Sequence, residues 1–210
     1  MTRDEFIATY WRYYLVLEKG FMETLDFLEF HPENTKAFSN RYAMLLQAIG
    51  AELDGFFKVF CSLPSDAISN IGTYSDLALT AWPEIVNQKI EVLEKKTFLQ
   101  PFKDWDKSRA KQSLPWWEAF DNIKHSRADN MKDANQENTI TSLAALFLLE
   151  MKHLVIICDG KEPDLPDEPS KLFELDNWNY RFLPSGEGYA FVDGRYCMVN
   201  TRRAHWDFRR

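Results

Sequence analysis

The densest chemistry in the chain lies in Trp116-Trp117-Glu118-Ala119-Phe120-Asp121-Asn122-Ile123-Lys124-His125-Ser126-Arg127. At helical spacing Glu118, Asn122, His125 and Asp129 fall on one stripe, while Trp116, Phe120 and Ile123 turn toward a core. Lys124 and Arg127 flank the stripe. An imidazole titrates near neutrality, so held between an amide and cations it has the minimum equipment for proton transfer beside a phosphate. His125, Arg127, Lys124 and Asn122 are therefore the candidate catalytic set. The same residues suit a structural role more readily, with Asp121 pairing Lys124, Asp129 pairing His125, and the polar groups bonding across a helix pair or subunit interface.

A second cluster closes the chain. Arg195, Arg202, Arg203, Arg209 and Arg210 alternate with Tyr196, Trp206 and Phe208, a mixture suited to pairing with phosphates and stacking on RNA bases. Arg202, Arg203 and Trp206 are the candidate RNA-binding residues. Docking of this end onto an acidic body is the alternative, because the chain as a whole carries a formal charge of -7 and a pI near 5.2. That charge argues against a histone-like coat for nucleic acid.

Other chemistries find no residues. His31, His125, His153 and His205 show no i, i+3 or i, i+4 pairing with one another, so no metal site is expected. None of the eight glycines has the spacing of a phosphate-cradling loop or a nucleophile elbow, and no cofactor is implied. Glu52 and Asp54 could orient His125 if their helix packed against it, or could simply face solvent. Cys61, Cys158 and Cys197 are an odd number without a close pair, which reads as reduced core thiols. No secretory signal is visible, and the most apolar stretch, 140–158, contains Glu150, Lys152 and His153. Charges there are costly in lipid, so a buried helix in a cytoplasmic protein, without a membrane partner, is expected.

The elements that must position these groups follow from periodicity. Phe6, Tyr10, Tyr13, Leu17, Phe21, Leu25 and Leu28 predict a first long helix. After a cap at Asn34, the set Phe38, Tyr42, Leu45, Ile49, Leu53, Phe56 and Phe60 predicts a second. The stretch 65–82 reads as one or two short helices, and 89–96 as either a strand or a helical turn. Ser113 caps a further helix with Pro115 in its first turn, and a last long helix runs from about Glu137 to Ile157. The acidic, proline-interrupted stretch 162–169 cannot be helical. Beyond it, Asn177 to Tyr180, Tyr189 to Val192 and Tyr196 to Asn200 read as strands, the last two joined by Asp193-Gly194. The fold class is mainly α: an up-and-down helical bundle over 1–160, then a proline-rich acidic connector and small C-terminal antiparallel β meander over 161–210, packed on the bundle.

With Asn122-Ile123-Lys124-His125-Ser126-Arg127 following a Trp-Trp, then Ala134-Asn135 and an alanine-leucine-rich helix, the chain resembles the HEPN (higher eukaryotes and prokaryotes nucleotide-binding) superfamily. The resemblance covers roughly Phe6 to Ile157. It implies an all-helical bundle acting as a homodimer and, in active members, metal-independent RNA cleavage in phage-defence or toxin-antitoxin systems. It further implies His125 as acid or base at the ribose 2′-hydroxyl or leaving oxygen. Active relatives carry an arginine a few residues before the histidine; between Glu118 and Asn122 this chain has no cation. Two readings follow. One is an RNA-cleaving element with an RNA or antitoxin partner; the other is a non-catalytic dimeric binding or scaffold module of the same fold. In either, Trp116 and Trp117 are expected to be buried against a second copy.

Overall fold

The computed structural model describes residues 1–93, 95–159 and 164–175, together with the strand backbones 187–192 and 195–200. The chain begins with a reciprocal cap: Thr2 Oγ1 accepts the Glu5 N–H and the Glu5 carboxylate accepts the Thr2 N–H. Two otherwise orphaned donors are thereby satisfied where α1 (Arg3–Phe6) starts. α1 runs through a π turn, Ile7–Trp11, into α2 (Arg12–Leu25). The wider turn inserts one residue into the helical spacing. Trp11 and Tyr14 consequently reach the core beside Phe6, Leu17 and Phe21, whereas Tyr13, expected inside, is exposed and Tyr10 is half-buried.

α3 (Asn40–Phe60) is capped by Ser39, whose hydroxyl accepts the Tyr42 N–H at 3.1 Å. Asn34, the expected cap, instead sits in a short 3-10 turn and donates to the Glu29 carbonyl. α4 (Ile71–Ala81) follows the Asn70 cap, which accepts from the Gly72 and Thr73 N–H groups. α5 (Pro115–Ser126) starts without a side-chain cap, because Leu114 holds that position. Ser113, expected there, lies one residue too early and accepts the Asp106 N–H instead. α6 (Gln136–Cys158) is capped by Asn135 and is buried on every side through 142–151. It packs along α3, with α2 and α5 against the pair. Among the described residues α6 is the one helix long and apolar enough to cross a membrane, and 67% of that stretch is covered by the rest of the fold.

β1 (Ile90–Val92), from the stretch the sequence leaves open, is the middle of an antiparallel sheet between β2 (Thr97–Leu99) and β3 (Phe173–Leu175). Ile90 lies opposite Leu99 on one side and Leu175 on the other. β4 (Glu187–Val192) pairs antiparallel with β5 (Arg195–Asn200) on either side of Asp193-Gly194. The strand expected at Asn177 to Tyr180 lies outside the described residues. The protein is thus mainly α with small antiparallel β elements, β1 and β2 from mid-chain and β3 to β5 from nearer its C-terminus.

The stretch 164–175 is knitted to the helices by polar pins as well as by β3. Arg3 donates to the Leu165 carbonyl at 2.8 Å and to Asp167 Oδ1 at 2.9 Å. Trp11 Nε1 donates to the Glu168 carbonyl at 2.8 Å. The buried Glu18 carboxylate accepts from Tyr14 Oη, Ser170 Oγ and the N–H groups of Lys171 and Leu172.

Candidate functional site on the fifth helix

The inner face of α5 fixes the outer one. Phe120 lies so close to α3 that a Cβ on Gly50 would come within 2.2 Å of its ring. Trp117 meets Phe57 edge-on at 5.8 Å and Phe120 at 5.6 Å. Trp116 donates its indole N–H to the Pro101 carbonyl at 2.6 Å. Both tryptophans are buried within the chain itself, so they are not the surface that a second copy would cover. Gln47 on α3 adds a hydrogen bond to the Ile123 carbonyl at 3.4 Å.

On the outer face each candidate group has a different partner. His125, 71% exposed at its side chain, places Nε2 3.3 Å from Asp121 Oδ1, and Lys111 holds the other oxygen of the same carboxylate. Burial raises the Asp121 carboxyl, but the Lys111 hydrogen bond and charge, with His125 and Lys124, bring it below its ordinary value. Asn122 donates to Asp133 at 2.9 Å, Arg127 reaches Asn40 at the start of α3 at 3.3 Å, and Lys124 lies 5.6 Å from the Phe120 ring centre. The sequence pairings therefore change: Asp121 takes Lys111 and His125 in place of Lys124, and Asp129 accepts from Ser126 in place of His125. The reason is reach, since Lys111 comes from the connector before the helix and cannot be seen in helical spacing.

Asn122, Lys124, His125 and Arg127 share one helix end but do not converge on a common point. Glu52 and Asp54 do not approach them. Asp54 accepts from Tyr74 Oη at 2.9 Å, while Glu52 acts electrostatically on Glu150 and Tyr10. Arg202, Arg203 and Trp206, the candidate RNA-binding residues, lie outside the described residues.

Periodicity gave no notice of a buried, unpartnered acid on α6. Glu150 is 0% exposed, and among the described residues neither of its oxygens has a hydrogen-bond partner. Burial, reinforced by Glu52, holds its carboxyl well above the ordinary value of 4.5. One turn on, His153 packs between Phe6 and Phe56 with Nε2 also unpartnered, and burial pushes it down to about 4. The one available signal was Glu150 itself, an acid inside an otherwise apolar run. No group of three His, Cys, Asp or Glu side chains among the described residues is arranged to hold a metal ion. Cys61 and Cys158 are unbridged, and burial raises the Cys61 thiol to about 11, which keeps it in the unreactive protonated form.

Comparison of the chain with protein-family models, with curated proteins and with solved structures gives no match.

Proposed function

We propose that this protein is a non-catalytic helical binding or scaffold module of the cytoplasm, pairing with a second copy through the α5–α3 face. The observation that carries this reading is a division of labour on that face. Its polar groups are committed to internal partners, Asp121 to Lys111 and His125, Asn122 to Asp133, and Arg127 to Asn40. Beside them Met44 stands 62% exposed, one turn from both Asn40 and Gln47 on α3, and Phe38 is 49% exposed just before that helix. Exposed apolar side chains rimmed by satisfied polar groups suit a contact surface better than a phosphate cleft. Light scattering at high micromolar concentration is expected to give a dimer that Met44→Glu converts to monomer. A monomer from the unaltered protein would overturn the reading.

Metal-independent RNA cleavage, in a phage-defence or toxin-antitoxin setting implied by the HEPN-like motif, is the second reading. Its support is the exposed His125 ring oriented by Asp121, the geometry of a carboxylate-steered acid or base. Arg127 and Lys124 would engage phosphate, and Arg202, Arg203 and Trp206 would engage RNA. Single-stranded RNA incubated with the protein and a chelator should then yield 2′,3′-cyclic phosphate ends, and His125→Ala should slow cleavage by about 10²- to 10⁴-fold. Absence of cleavage above background is the outcome the scaffold reading requires.

A further inference from the structure

Between the π turn, α6 and the pinned stretch 164–175 lies a pocket of about 230 Å³. Trp11, Phe147, Met151, Phe173, Pro166 and Pro169 form most of its wall, with Ser170 and Glu174 as its polar members.

The walls are fixed before anything enters. Trp11 stacks on Tyr14 at 4.7 Å, and its indole N–H is held by the Glu168 carbonyl. The Phe147 and Phe173 rings lie 5.6 Å apart, tilted at 47° to each other. On the far side, Arg3 fixes Leu165 and Glu18 fixes Ser170, so the stretch between them is stretched over the pocket as a tied strap. A preformed apolar pocket binds without the cost of ordering its own walls.

The lining also selects the ligand. An ionised group would lose its hydration against rings, prolines and a thioether. The Ser170 hydroxyl already serves Glu18 and the Phe173 N–H. Size sets the remaining limit: an apolar cavity of about 150 Å³ takes up benzene, so 230 Å³ has room for a fused ring or a short alkyl chain.

We infer that this pocket is a binding site for an uncharged apolar small molecule, of the bulk of indole or a six-carbon alcohol. The site is separate from the α5–α3 face and does not depend on the function proposed for it.

Met151 supplies the probe. The full chain labelled at its methionine methyls would be titrated with indole, hexanol and hexanoate at neutral pH and followed by NMR. Indole and hexanol are expected to shift the Met151 methyl saturably and hexanoate to bind at least about ten-fold more weakly. Leu165→Trp, which fills the pocket from the strap, should abolish the shift while leaving the other methionine signals in place. Met151→Phe provides an independent arm: it should abolish the rise in melting temperature that indole gives the unaltered protein. No saturable shift with either uncharged probe, equal binding of hexanoate, or retention of binding in both filled variants would overturn the assignment.

Discussion

Glu18 and Glu150 are both buried glutamates on core helices, and the fold treats them in opposite ways. Glu18 accepts from two hydroxyls and two backbone N–H groups, so its carboxylate trades water for an equivalent set of donors. Three of those donors come from residues 170–172, more than 150 positions further along the chain. Glu150 has no donor among the described residues, and its charged neighbour is another carboxylate, Glu52. The same side chain is thus a fastener in one place and a group that favours its neutral form in the other. What separates them is the supply of donors, since burial alone penalises both.

The largest expected effect tests the fastener. Glu18→Ala should lower the free energy of unfolding by about 3–5 kcal/mol, because several buried donors lose their acceptor at about 1–3 kcal/mol apiece. Urea unfolding monitored by Trp fluorescence would measure it. A loss below about 1 kcal/mol, the worth of one ordinary hydrogen bond, would erase the contrast between the two glutamates.

Replacement of the other glutamate should have the opposite sign. Glu150→Leu is expected to leave stability unchanged or raise it by up to about 3 kcal/mol, the cost of burying a polar group without a hydrogen bond, because an unpartnered buried acid is replaced by an apolar group of similar size. The gain should depend on pH. The folded-state carboxyl keeps its proton above the ordinary value of 4.5, so the folded protein binds more protons than the unfolded one and loses stability as pH rises. Glu150→Leu should remove that decline. His153 acts with the reverse slope: between its folded value of about 4 and its ordinary 6.5 the unfolded chain binds more protons, so stability rises with pH across that window. His153→Phe should flatten the acid limb. Chemical denaturation at a series of pH values would resolve both limbs, and a Glu150→Leu profile parallel to that of the unaltered protein would refute the assignment.

A smaller change probes one spoke of the Glu18 hub. Tyr14→Phe removes a donor while keeping the ring that stacks on Trp11, and should cost about 1 kcal/mol in the same urea assay. Smallest of all is the half-exposed Asp121. Asp121→Asn should cost only about 0.2–1 kcal/mol, since its partners Lys111 and His125 remain in contact with water. Together the substitutions of Glu18, Glu150 and Asp121 rank three carboxylates by what surrounds them.

The helices were legible because one apolar face repeating every three or four residues is a strong signal. The inner face of the first helix was legible only in part: Tyr10 with Tyr13 and Trp11 with Tyr14 are all aromatic, so the sequence satisfies either register and the π turn leaves no mark. β1 and β3 pair across some eighty residues of intervening chain, beyond the reach of any local pattern. Glu18 could not be told from a surface acid, because its donors from residues 170–172 become neighbours only after folding. For the α5 segment the stripe itself was readable, but the groups that engage it, Lys111, Asp133 and Asn40, lie on other elements.

The π turn at Ile7–Trp11 also determines what a change in chain length would do. Five residues of the π turn cover about the same arc as four of an α-helix, so removing one residue within it would restore ordinary helix and leave the residues before it on nearly the same face. The inner face of α2 would keep its setting on α3 and α6, because that face is fixed by residues beyond the turn. Arg3 would keep its reach to Leu165 and Asp167, and the strap would stay tied at that end. A residue lost between Arg3 and the turn, with the turn kept, would instead rotate Arg3 by about 100° around the axis and release that grip, so the turn is the one place where this helix can shed a residue and keep its N-terminal hold.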